Sequence, residues 1–97
     1  MAKLNKAHTA TVNRISKRYD GTLDPNREFD IICDQFVIEV ETTATMGEGL
    51  EKLSAYSGRS YVAVTNKEGL QEALRLARQS NVGVMDPQGD IVKEAGG

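Results

Sequence analysis

Apolar residues recur along this chain with two different periods, and the alternation between the two predicts an α/β protein. Val12, Ile15 and Tyr19 are spaced as on one face of a helix over 9–19, whereas 27–33 and 36–42 are rich in Ile, Val and Phe, as strands are. Residues 20–26 are dense in Gly, Pro, Asp and Asn and predict a loop. The same criteria predict helices over 46–57 and up to about Ser80, and strands over 59–65, 82–85 and 90–93.

The predicted order of elements is α-β-β-α-β-α-β-β. Two Thr-x-x-Glu pairs, Thr45 with Glu48 and Thr65 with Glu68, predict capping boxes at the starts of the second and third helices. The strands at 59–65 and 82–85 flank one helix and should be parallel, with a right-handed crossover. Residues 27–42 should form an antiparallel hairpin turning at Asp34-Gln35. We therefore expect a mixed sheet with helices packed on its faces.

The predicted hairpin carries four carboxylates on one face. With a two-residue turn, Asp30 lies opposite Glu39, and Glu28 lies opposite Glu41. The same face also holds two apolar residues, Ile32 and Val37. The other face collects only apolar side chains: Phe29, Ile31, Cys33, Phe36, Ile38 and Val40.

Like charges directly opposed on a sheet destabilise it, and a bound cation would offset that repulsion. Mg²⁺ takes one or two carboxylates and keeps several waters, so the pairing predicts a metal site with Asp30 and Glu39 as ligands. The alternative is a solvated face, which antiparallel sheets commonly have.

The length and composition of the chain indicate the general class of protein. The 97 residues suit a single domain over 1–97, with 1–8 expected to be a flexible arm. The 39% apolar and 27% charged fractions are those of a soluble globular protein, with apolar runs too short to cross a bilayer and no signal-peptide core. The lone Cys33 cannot form an internal disulfide, which favours the cytoplasm. We interpret Cys33 as a core residue; as a nucleophile it would have only His8 as its base.

The charge distribution is uneven although the formal net charge is only −2. No acid precedes Asp20, whereas five basic residues do: Lys3, Lys6, Arg14, Lys17 and Arg18. They form either a solvated arm and helix face or a patch that binds phosphates. Charge alone leaves both interpretations open.

The ordered set "FD…IEVE", followed by a capped helix, a strand, a helix and a strand, resembles the PD-(D/E)xK nuclease superfamily over about Thr9 to Val92. That superfamily has a restriction-endonuclease-like core and includes archaeal Holliday-junction resolvases and RecB-like nucleases of DNA repair and recombination. Asp30 matches the family's Asp, and Glu39-Val40-Glu41 matches its (D/E)-x-K triplet. The resemblance implies that Asp30, Glu39 and the carbonyl of Val40 hold Mg²⁺ or Mn²⁺.

The sequence departs from the family pattern at two positions. Glu41 replaces the triplet's Lys, and the first helix lacks the family's Glu. Lys52 is a candidate substitute for the missing positive charge, within "KLSAY", which is similar to the Q-x-x-x-Y motif of RecB-like members. Alternatively, Lys52 is an exposed helix residue and Glu41 itself binds a cation or orients the water.

The resemblance implies a metal-dependent DNA endonuclease, structure-selective or non-specific, acting as a homodimer that cuts two strands. Arg14, Lys17 and Arg18 would then contact the DNA backbone. One alternative is a catalytically inactive nuclease-like module that binds nucleic acid or a protein partner. Another is a small metal-binding or scaffold domain.

Overall fold

The computed structural model describes residues 6–96, which form three α-helices and a six-stranded sheet. In chain order the elements are α1 (Lys6–Arg18), β1 (Thr22–Leu23), β2 (Ile31–Ile32), β3 (Val37–Glu41), a 3-10 turn (Thr43–Thr45), α2 (Met46–Ser54), β4 (Ser60–Val64), α3 (Lys67–Leu76), β5 (Gly83–Met85) and β6 (Ile91–Lys93).

The strands lie side by side in chain order, from β1 at one edge to β6 at the other. The pairs β1–β2, β2–β3 and β5–β6 are antiparallel, whereas β3–β4 and β4–β5 are parallel. Helices α2 and α3 supply the two parallel crossovers. The predicted mixed sheet, with its antiparallel hairpin and parallel β-α-β unit, is therefore confirmed.

Two hydrophobic cores lie on opposite faces of the sheet. Helix α1 covers one face, where Ile15 packs with Ile38 and Tyr61. Helices α2 and α3 cover the other face, where Leu53 and Ala73 pack with Val62. Every residue of β3 and β4 is buried, as expected for strands enclosed on both faces. The two carboxylates of β3 therefore enter the space beneath the helices instead of facing open solvent.

The hairpin has the predicted register but is shorter than predicted. Ile31 lies opposite Ile38 and Ile32 opposite Val37, and the Cys33 N–H donates to the Phe36 carbonyl at 2.9 Å across the Asp34-Gln35 turn. Residues 27–30 were predicted as strand, which is wrong because they form a loop that β2 follows. The Glu28 side chain is accordingly exposed and does not pair with Glu41.

Asp24 causes this difference. Its buried carboxylate accepts the backbone N–H groups of Asn26, Glu28 and Phe29, at 2.9, 2.9 and 3.0 Å, so these donors are unavailable to a ladder. These bonds hold the pKa of Asp24 below its usual value. The loop turns the Phe29 ring towards the α2 side, edge-on to Tyr56, with ring centroids 5.2 Å apart. The prediction that Phe29 shares a face with Ile31 is therefore wrong.

Several predicted boundaries also change. Helix α1 begins at Lys6, so the predicted arm is wrong over 6–8, and residues 1–5 lie outside the described part. Asn66 caps α3 instead of Thr65, and its side chain accepts the Gly69 N–H at 2.7 Å. The Thr45 hydroxyl bonds to Thr42 in the preceding 3-10 turn, so it forms no capping box with Glu48. Asn66 was missed because it directly follows Thr65, and Thr and Asn are both common N-cap residues.

Candidate active site

Asp30 and Glu39 meet across the β2–β3 hairpin, as predicted. The Asp30 N–H donates to Glu39 Oε1 at 3.0 Å, and the Val40 N–H donates to Asp30 Oδ2 at 2.8 Å. Each carboxylate is thus held by a backbone group of the opposing strand. These two hydrogen bonds take the place of ladder hydrogen bonds at the position where the loop meets β2. They also hold the two side chains close to each other.

Lys52 approaches the same carboxylates from α2. Its Nζ lies 3.0 Å from Glu39 Oε2 and 5.4 Å from the centroid of the Phe29 ring. Burial raises the pKa of Glu39, the negative charge of Asp30 raises it further, and Lys52 opposes both effects. The Lys52 amine is therefore directed at the acidic pair, which is the geometry that a substitute for the family's Lys requires.

Glu41 is the last residue of β3 and lies beneath α2, only 9% exposed. Burial is the largest cause of a pKa raised to about 7; a hydrogen bond from Thr45 opposes it, and the nearby Glu39 and Asp30 raise it further. Gly49 of α2 makes the room, because a Cβ there would lie 2.4 Å from Glu41 Cγ. Glu39 lies two residues before Glu41 on β3, close enough for its charge to raise the pKa of Glu41. Glu41 is therefore a buried group that holds a proton near neutral pH.

His8 completes the site from the other side, and sequence reasoning missed this role. Its Nε2 lies 3.2 Å from Asp30 Oδ2, because the first turns of α1 pass over the hairpin. His8 was assigned to the arm and considered only as a partner for Cys33. The available signal was its spacing of four residues from the buried Val12, which places both on one side of α1.

Cys33 behaves as the core residue that was predicted. It packs partly buried against the core beneath α1, and burial raises the pKa of its thiol, which favours the unreactive protonated form.

Two of the predicted DNA-contacting residues also hold the β5–β6 turn. Arg14 donates to the Pro87 carbonyl at 2.6 Å, and Arg18 donates to the Gln88 carbonyl at 2.9 Å and to Asp90 Oδ1 at 2.6 Å. Lys17 between them is exposed. The structure therefore groups these three residues on α1 but does not bring them into contact with Asp30 or Glu39.

The donor chemistry fits a hard divalent cation held partly by water. Asp30 and Glu39 offer carboxylate oxygens side by side, which is the number of carboxylates that Mg²⁺ commonly takes. Within residues 6–96 no group of three or more His, Cys, Asp or Glu side chains is arranged to enclose a metal. A cation held by these two carboxylates would therefore take most of its remaining ligands from water.

Comparisons with protein-family models, curated proteins and solved structures gave no match. Among the residues the structure describes, no helix is both long and apolar enough to cross a membrane. The functional argument therefore rests on the geometry of the site.

Proposed function

We propose that this protein is a metal-dependent DNA endonuclease with a restriction-endonuclease-like core. One observation carries the proposal: Asp30, Glu39 and Lys52 converge on a single site from the residue before β2, the middle of β3 and the following helix. The β2-β3-α2-β4 segment supports the proposal, because Glu39 lies on β3 and Lys52 on the helix that follows it, in the order that the resemblance implies. DNA is the proposed substrate, with two copies acting together to cut a duplex.

Each residue of the site has a distinct role in this proposal. Asp30, Glu39 and the Val40 carbonyl would hold Mg²⁺ or Mn²⁺, which when bound would polarise the scissile phosphate and activate water. Lys52 supplies a positive charge beside the phosphate oxygens as negative charge develops on them. Glu41, the next carboxylate along β3, would keep a proton near neutral pH and so add little negative charge beside Glu39.

The test is cleavage of labelled duplex, single-stranded and four-way-junction DNA, with Mg²⁺, with Mn²⁺ and with EDTA. We expect metal-dependent cleavage that Asp30→Asn and Glu39→Gln each abolish. Glu72→Gln is a matched control, because Glu72 is an ion-paired carboxylate on α3, bound to Arg75 at 2.9 Å. Full activity in both site variants would refute the assignment.

A second candidate function is an inactive nuclease-like module that binds DNA. The Lys52–Glu39 ion pair favours it, because an ammonium already neutralises the carboxylate that a metal would occupy. In this case the wild-type protein would bind DNA in EDTA but would not cut it with either cation. Cleavage by the wild type, lost in Asp30→Asn, rules this candidate out.

A further inference from the structure

A cleft of about 450 Å³ opens beside Asp30, between the first turns of α1 and the segment 23–30. Its volume lies within the range of roughly 300–1,000 Å³ that is typical of small-ligand sites. The apolar part of its lining comprises Val12, Leu23 and Phe29, and the polar part comprises His8, Thr9, Asn13, Asp24, Arg27 and Asp30. Leu23 is 61% exposed, so an apolar surface stands open next to the proposed catalytic carboxylate.

Arg27 is presented at this cleft in an unusual backbone conformation. Its φ is 57°, a left-handed value that non-glycine residues rarely adopt. The Asp24 carbonyl accepts the Arg27 N–H at 3.0 Å, and the Asp24 carboxylate holds the loop on both sides of it. The loop thus maintains a strained residue next to a candidate active site, where such strain tends to be found.

Arg27 also differs from most arginines of this chain in its contacts. Its guanidinium makes no ion pair or hydrogen bond with any residue in 6–96. Four other arginines are bound to described carboxylates or carbonyls: Arg14, Arg18, Arg59 and Arg75. A guanidinium held at the mouth of a cleft is suited to a phosphate, which it binds by paired N–H donors.

We propose that this cleft binds one unpaired nucleotide of a DNA strand, with Arg27 on its phosphate and its base against the apolar part of the lining around Leu23. The inference rests on the proposed nuclease function and names its substrate class, which is DNA with unpaired nucleotides next to the cut. A positive group that holds the backbone beside an apolar or aromatic surface is the usual arrangement in single-strand binding. A base stacked within a duplex would have to leave the stack before it could enter such a cleft.

The test is binding of a labelled oligothymidylate in EDTA, measured by fluorescence anisotropy. Arg27→Ala should weaken binding about tenfold, roughly what one phosphate contact or one stacked base contributes. Arg78→Ala is the matched control, because Arg78 is exposed and follows α3 on the opposite face of the sheet. The exposed Leu23 allows a second variant, and Leu23→Ser should also weaken binding of the single strand.

Arg27→Gly separates a binding role from a structural one. Glycine adopts a φ of 57° without strain, so this variant should melt at a higher temperature while losing affinity for oligothymidylate. A residue that only shaped the loop would not lose affinity while the fold gained stability. Wild-type affinity in both Arg27 variants would overturn the proposal.

The proposed cleft and the proposed nuclease fail in different ways. If the protein cuts DNA and Arg27→Gly binds and cuts single strands like wild type, the cleft assignment is wrong and the nuclease stands. If no substrate is cut with either cation but oligothymidylate binding depends on Arg27, the nuclease is wrong and the cleft stands.

Discussion

At the scale of single residues, Asp30 serves both the fold and the proposed chemistry. Its carboxylate accepts the N–H of Val40, a residue that is only 2% exposed. Charge repulsion alone would predict that removing one acid of the Asp30–Glu39 pair stabilises the protein. The observed hydrogen bond predicts the reverse for a truncation, because a buried N–H left without an acceptor costs about 1–3 kcal/mol.

We therefore expect Asp30→Ala to unfold at lower denaturant concentration than wild type, and Asp30→Asn to stay close to wild type because its side-chain oxygen still accepts. Both variants should lack cleavage activity. Urea unfolding in EDTA measures the first effect and a DNA cleavage assay the second. An Asp30→Ala protein as stable as wild type would show that the Val40 hydrogen bond contributes little.

Lys52 permits a separate prediction about rate. Its Nζ is close enough to the acidic pair to reach a phosphate oxygen bound there, so Lys52→Ala should slow the chemical step by about 10²–10³. Affinity for DNA should change little. Lys52→Arg should restore only part of the rate, because a planar guanidinium differs from an ammonium in shape and reach. Single-turnover cleavage at saturating protein separates these effects, and an equal loss of affinity would contradict the assigned role.

The raised pKa of Glu41 leads to a prediction about how the stability of the fold depends on pH. Its folded-state pKa is raised from 4.5 to about 7, so the folded protein binds this proton more tightly than the unfolded chain does. The stabilising effect is full below pH 4.5 and is lost as the pH rises through about 7. Linkage gives about 3 kcal/mol for this difference in pKa when Glu41 is fully ionised.

We expect Glu41→Gln, which keeps nearly the shape of the Glu41 side chain but cannot ionise, to flatten this loss of stability between pH 5 and 8. Melting temperatures in EDTA at a series of pH values provide the measurement. Some slope should remain, since burial and Asp30 raise the pKa of Glu39 in the same direction. Parallel curves for wild type and Glu41→Gln would contradict the buried, protonated state of Glu41.

At the scale of elements, two glycines of α2 provide a matched pair. A Cβ on Gly49 would lie 2.4 Å from Glu41 Cγ, whereas a Cβ on Gly47 would meet nothing within 4 Å. In a helix interior, Ala is favoured over Gly by about 1 kcal/mol. Gly47→Ala should therefore stabilise the protein, by less than that amount because Gly47 lies in the first turn of α2, and Gly49→Ala should destabilise it by forcing α2 away from β3.

Because the added Cβ would clash with the Glu41 side chain, the double variant Gly49→Ala with Glu41→Ala should recover much of the stability that Gly49→Ala loses. Chemical denaturation of the four proteins forms a complete cycle. Equal effects of the Gly47 and Gly49 substitutions would mean that α2 and β3 are not packed as closely as described.

The β2–β3 hairpin and the loop before it show which structural features the sequence predicts well and which it does not. The register of the β2–β3 hairpin was predictable, because alternation with period two and a two-residue turn leave one pairing that buries Ile31 with Ile38. The facing of Asp30 and Glu39 follows from that register. The loop at 24–30 was not predictable, because it depends on Asp24 accepting three backbone donors, and Asp24 is one of several polar residues that a loop allows.

Contacts between elements distant in sequence were also beyond prediction. The approach of His8 to Asp30 and the docking of Arg18 on the β5–β6 turn depend on how α1 lies across the sheet. Hydrophobic spacing gives the buried side of a helix but not its direction on the sheet. From charge alone the basic side of α1 could be either a solvated face or a phosphate-binding patch, with no indication that two of its three residues hold a turn.

At the scale of the whole molecule, DNA binding should depend on a few local positive charges, because the formal net charge is −2. Each phosphate contact that releases a counterion contributes about 0.9 to the slope of log affinity against log salt for duplex DNA, and about 0.7 for single strands. Among the three candidates on α1, only Lys17 has no bond to the β5–β6 turn.

We therefore expect Lys17→Ala to reduce the salt slope by somewhat less than one while leaving the melting temperature unchanged. Arg18→Ala should reduce the slope and also lower the melting temperature, because it removes the bonds to Gln88 and Asp90.

Lys67→Ala is the control: Lys67 is an exposed lysine at the start of α3, on the opposite face of the sheet, and its loss should leave the slope unchanged. Anisotropy titrations of labelled duplex in EDTA at increasing NaCl give the slopes. Binding that is insensitive to salt, or a slope that changes with Lys67 and not with Lys17, would place the DNA on a different surface from α1.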